Sequence, residues 1–158
     1  MTTHPEAAQP LAELEPRHEF FVGIDSDGCA FDTMEIKHKE CFIPNIIKHW
    51  GLQPVSKYAR EAAEFVNLYS QWRGTNRWPA LVMAFDLLRE RPEVKARGVE
   101  PPQAPRVREF IAADAFAKSN DGLEAYMAAH PDPELDVAWA WTKGVNDTVA
   151  EIVHGVPP

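Results

Sequence analysis

One short run of strand-forming residues, Phe20-Phe21-Val22-Gly23-Ile24, stands ahead of a long stretch whose apolar positions recur at helical spacing. A single strand cannot make a sheet, because its backbone N–H and C=O groups need neighbouring strands to pair with. These 158 residues must therefore fold mostly as helices, with the strand's partners missing from the chain or supplied by another. The run is apolar throughout, which suits a strand buried on both faces in a parallel sheet. It stops abruptly in the polar turn Asp25-Ser26-Asp27-Gly28.

The stretch that follows reads as about six helices. Asp32 and Thr33 can cap a helix over 34–50 that Gly51 ends, and Pro44 inside it predicts a kink or a restart. Ser56 is placed to cap the next, where Tyr58, Ala62, Phe65 and Tyr69 share one face. A polar loop, Arg73-Gly74-Thr75-Asn76-Arg77, precedes a helix marked by Leu81, Phe85 and Leu88 and stopped before Pro92. A Pro-rich connector covers 97–105, and helices are expected over 105–117, 121–129 and 133–153. The last carries the stripe Ala138, Trp141, Val145, Val149 and Ile152. The chain thus divides into a mobile arm (1–19), a strand and turn (20–33), a helical body (34–154) and a short exit (155–158).

Composition narrows the function. With 45% hydrophobic and 25% charged residues the chain is globular rather than disordered. A net charge of −8 argues against nucleic acid or an anionic membrane surface as partner. The apolar runs fall far short of the roughly 18 residues that span a bilayer. No basic segment followed by an apolar one opens the chain, so a cytoplasmic location is expected. Two cysteines, Cys29 and Cys41, are too few for a disulfide framework.

The chemistry-bearing residues are those of the turn. Alternation along an extended chain sends Asp25 and Asp27 to the same side, at the carboxyl end of the run, where open α/β sheets bind their ligands. Two carboxylates so close resist joint ionisation, which a bound cation or a proton relieves. Gly28 lets the backbone approach a ligand, and successive amide N–H groups can cradle an oxyanion.

The segment FFVGIDSDGCAFDT resembles the first motif of the haloacid dehalogenase-like hydrolases, hhhhDxDGTxxD with h apolar. Asp25, Asp27, Gly28 and Asp32 stand in place, and Cys29 replaces the usual Thr. The helical run after it resembles the cap inserted behind this motif in many members. The resemblance implies an α/β, Rossmann-like core whose remaining strands, with the later Ser or Thr, Lys and Asp, are absent from this chain. It implies, for the complete protein, a Mg²⁺-dependent phosphohydrolase in which Asp25 attacks phosphorus to form an aspartyl-phosphate, with these 158 residues alone expected to be inactive. Asp27 would serve as general acid and base. Mg²⁺ would contact the Asp25 carboxylate and the Asp27 main-chain carbonyl and offset the repulsion between anionic nucleophile and phosphoryl group. The substrate would be a small phosphorylated molecule. A sugar-phosphate phosphomutase shares every one of these features, and a non-catalytic helical interaction module that keeps the motif as a relic is the reading from another class.

Other patterns carry less. An EF-hand register would put Gly23 first and Met34 twelfth, where acidic ligands are needed, and fails. Glu35 and His38 have Glu-x-x-His spacing, but no second copy exists and Lys37 and Lys39 mark a solvated face. Cys29 reads as a small semi-buried filler and Trp72, Trp78, Trp139 and Trp141 as core. In the loop, Arg73, Asn76 and Arg77 suit recognition of phosphate or carboxylate, or else form a solvated surface turn.

Overall fold

Helical structure begins at Thr33, where the polar turn ends, and continues with breaks to Val153. The computed structural model describes Glu15 and residues 18–20, 22–25 and 27–153. Phe21, Ser26, the rest of the expected arm and residues 154–158 lie outside the described residues.

α1 (Thr33–Ile36) runs through a π-helical segment, Lys37–Phe42, into α2 (Ile43–His49). Asp32 occupies the N-cap position of α1, but its side chain makes no capping hydrogen bond. Near Pro44, where a kink or restart is expected, the winding changes from the π segment to α2 at Ile43, with Pro44, which has no N–H to donate, in the first turn of α2. Gly51, at φ +66°, ends the helix as expected. A 3₁₀ turn, Gln53–Val55, leads into α3 (Ser56–Glu64), which a second π segment, Phe65–Tyr69, prolongs. Ser56 is the first residue of α3 and caps nothing, because the 3₁₀ turn already feeds its backbone into the helix.

α4 (Arg77–Glu90) is capped by Asn76, whose side-chain oxygen accepts from the Trp78 N–H at 3.1 Å. α5 (Pro92–Ala96), α6 (Pro105–Ala112), α7 (Asn120–Ala129) and α8 (Pro133–Val153) follow. α6 is shorter than its sequence pattern, since the Lys118 ammonium binds the carbonyls of Ala113 and Phe116 at 2.6 and 2.7 Å and secures a loop there. Ser119 caps α7 by accepting from the Gly122 N–H.

α3 lies along α4, α2 along α8, and α6 packs on both α4 and α8. Between them Trp78 meets Trp141 and Phe110 edge-on, with ring centroids 5.4 and 5.5 Å apart. Trp78 and Trp141 are fully buried, whereas Trp72 and Trp139 sit half-buried. Ala138, Trp141 and Val145 of α8 face the core, as their spacing predicts. The face assigned to α3 needs correction. Ala62 is buried, but its companions inside are Ala59, Ala63 and Val66, while Phe65 and Tyr69 are exposed. Small alanines let α3 approach α4 closely, and the larger rings are left on the outer edge.

The strand expected over 20–24 is not formed. Phe20, Val22 and Ile24 are irregular and 81%, 79% and 73% exposed, and among the described residues only an isolated bridge, Asp27 to Phe31, has β character. The reason is physical: no other described backbone lies alongside to pair with the run. The chain is mostly α, and no helix among the described residues is long and apolar enough to cross a membrane.

Candidate functional site

The segment 25–31 closes on itself through two backbone hydrogen bonds. The Gly28 N–H donates to the Phe31 carbonyl at 2.8 Å and the Ala30 N–H to the Asp25 carbonyl at 3.2 Å. Gly28 has φ +70°, and a Cβ there would stand 2.7 Å from Met34 Cγ and 3.2 Å from Arg73 Nη2. Glycine thus serves twice, for the left-handed backbone and for the close approach of α1 and the Arg73 loop.

Asp27 is held from the helix that follows. Thr33 Oγ1 donates to its Oδ1 at 2.7 Å, and Lys37 Nζ donates to both oxygens at 2.7 and 2.6 Å. The Lys37 hydrogen bond, then that of Thr33, keep the Asp27 carboxyl below the usual carboxylate range. Thr33 of α1 and Lys37, the first residue of the π segment that continues it, stand four apart, so one helix face presents both donors. The sequence reading did not single them out, although that spacing just after the motif was the available signal.

A second network borders the first. Glu35 accepts from Lys39 Nζ at 2.7 Å and from the Tyr69 hydroxyl at 3.0 Å, which hold its carboxyl low, and the Arg73 guanidinium adds to the effect. Lys37 opens one π segment and Tyr69 closes the other, so both helical irregularities contribute side chains to these two linked networks. Such irregularities are frequent at functional sites. Glu35 is taken up by Lys39 and Tyr69, and among the described residues no group of three His, Cys, Asp or Glu is placed to hold an ion. His38 instead stacks on Phe42 at 4.8 Å, and burial pushes it down to about 4, keeping the imidazole neutral. Cys29 is exposed on the turn, not the semi-buried filler expected, because the turn itself stands proud of the helical body.

The structure separates the loop residues. Arg73 lies beside the Gly28 turn, its Nη2 3.2 Å from where a Gly28 Cβ would stand. Asn76 is engaged in capping α4 and in donating to the Lys118 carbonyl at 2.9 Å. Arg77 turns to α8, donating to Thr142 Oγ1 at 2.7 Å and Asn146 Oδ1 at 3.0 Å.

No family model, no curated protein and no solved structure matches this chain. Residues and geometry alone carry the functional reading.

Mg²⁺ takes oxygen ligands and keeps much of its shell as water, needing only one or two carboxylates. Asp25, exposed on the turn, and the Asp27 main-chain carbonyl are donors of that kind. These two oxygens are what the turn offers a magnesium ion, whose remaining positions water would fill; among the described residues no third His, Cys, Asp or Glu joins them.

Proposed function

We propose that the turn 25–28 is the phosphoryl-accepting turn of a Mg²⁺-dependent phosphohydrolase of the haloacid dehalogenase-like type. The observation that supports this reading is that Asp25, Asp27 and Gly28 share one tight turn beside which the Arg73 guanidinium lies, with Asp27 held by Thr33 and Lys37. A bound Mg²⁺ would supply charge neutralisation between the carboxylate and the phosphate ester.

The chain's own residues would do the rest. Asp25 attacks phosphorus, the ester oxygen leaves, and a carboxyl-phosphate bond forms on Asp25. Asp27 gives a proton to the leaving oxygen and later takes one from the attacking water. At rest Asp27 is in its base form, so the Lys37 contact must loosen as the ester enters and Asp27 must take up a proton from solvent before it donates to the leaving oxygen; the water it later deprotonates cleaves the Asp25–phosphate bond and releases phosphate. Arg73, beside Gly28, offers a planar fork to the phosphate oxygens.

A panel of small phosphate esters, assayed with and without Mg²⁺, tests the proposal. In a protein that also supplies the later Lys and Asp, metal-dependent release of phosphate that disappears in Asp25→Asn is expected, with Asp27→Asn slowed by about 10²- to 10⁴-fold; these 158 residues alone should release little or none. Turnover that persists unchanged in Asp25→Asn, or that ignores the metal, overturns it.

A further inference from the structure

Arg77 opens α4 with a half-buried guanidinium. Burial alone pushes its pKa below the usual arginine value. Its hydrogen-bond partners, Thr142 Oγ1 and Asn146 Oδ1, are both uncharged, and Thr142 passes its own proton on to Asn120 Oδ1 at 2.8 Å. Among the described residues no carboxylate pairs with Arg77, whereas Arg89, Arg91 and Arg108 each have one and Arg106 has two; Arg60 and Arg97, also without one, bond the Lys39 and Pro54 carbonyls. A partly desolvated cation without a counter-charge is costly, and folded proteins ordinarily supply the partner. In a chain of net charge −8 the omission is the more pointed.

A second observation falls at the same place. The Phe42 ring has the Arg77 guanidinium 5.1 Å from its centroid and the His38 imidazole 4.8 Å away. His38 Nδ1 is buried and has no hydrogen-bond partner. A neutral imidazole can carry its proton on that nitrogen and act as a donor. A cation lacking an anion and a buried nitrogen lacking a partner therefore flank one ring, with the exposed Asn146 at the surface beside Arg77.

We propose that the junction of the Lys37–Phe42 segment with α4 and α8 is a binding subsite for a small oxyanion, the carboxylate or phosphate group of a small molecule. Arg77 supplies the charge and the planar donor fork, Asn146 its amide, and His38 a further donor. The subsite goes beyond the phosphohydrolase reading and stands whether or not the turn 25–28 is catalytic.

Calorimetric titration of inorganic phosphate and, separately, acetate into the full chain tests this, at fixed ionic strength with chloride as the control anion. One of the two oxyanions is expected to bind, and which one does identifies the group recognised. Arg77→Gln should weaken that binding by about tenfold or more, the measure of a charge-assisted pair. Asn146→Ala, at an exposed position where the fold is not at stake, should weaken it by a smaller factor. Arg106→Gln, at an exposed arginine outside both proposed sites, should leave it unchanged. Absence of binding by either oxyanion overturns the proposal. So does binding that survives both Arg77→Gln and Asn146→Ala, or that falls as far in Arg106→Gln.

Discussion

Acidification from about pH 7.5 to about pH 5 should destabilise the helical body through His38, by an amount that can be worked out. Burial, with the Arg77 and Lys37 cations nearby, holds the His38 pKa at about 4 against an ordinary 6.5. The folded chain thus keeps the ring neutral while the unfolded chain protonates it. The stability this contributes is complete above pH 6.5 and is lost progressively as pH falls through 6.5 towards about 4. At pH 5 the span below 6.5, taken at 1.36 kcal/mol per pH unit, gives a ceiling of about 2 kcal/mol. The imidazole is only half-buried, so solvent screening reduces this to roughly 1 kcal/mol. Urea unfolding of the wild type and of His38→Gln at both pH values isolates the effect, because His49 and the carboxylates are common to both chains. The wild type should lose about 1 kcal/mol more than His38→Gln on acidification. Equal losses in the two chains would refute the assignment of a buried neutral imidazole.

Three other outcomes follow from particular contacts. Gly122→Ala puts a Cβ 1.8 Å from the Ala117 carbonyl oxygen, a backbone atom that cannot swing aside, and should cost about 2–3 kcal/mol, or roughly 5–10 °C in Tm by thermal unfolding. Gly28→Ala meets the movable Met34 side chain and a left-handed φ, so about 1 kcal/mol is at stake locally. Its mark should be a shifted Lys37–Asp27 pair by NMR, with Tm nearly unchanged because the turn lies outside the core. The triple change Phe20→Ser, Val22→Ser and Ile24→Ser should leave Tm within the scatter of ordinary surface substitutions, and a loss of several degrees would show that the run is covered in solution.

Much of the helical body was legible from periodicity, because Trp78, Phe85, Leu88, Ala138, Trp141 and Val145 recur at the spacing that one buried face demands. What periodicity misjudged was α3. Apolar character alone does not distinguish Phe65 and Tyr69, at the outer edge, from Ala59, Ala63 and Val66, which are small enough for close packing on α4. The run 20–24 has the composition of a buried strand, but whether it becomes one depends on paired backbone that its own residues cannot supply. At the site, the motif marked Asp25, Asp27 and Gly28. It could not assign the loop: Arg73 and Arg77 are the same residue type four positions apart, and only the tertiary contacts send the first to Gly28 and the second to α8.

The two aspartates therefore owe their geometry to different parts of the chain. Asp27 is fixed from downstream, by Thr33 and Lys37 on a helix that joins the packed body. The main-chain carbonyl of Asp25 is tied to the turn through Ala30, but the residues leading into Asp25 are the exposed apolar run. In the proposed chemistry the group that moves protons is therefore held at rest by the helical body, and its release from Lys37 is the step that the packed helix controls.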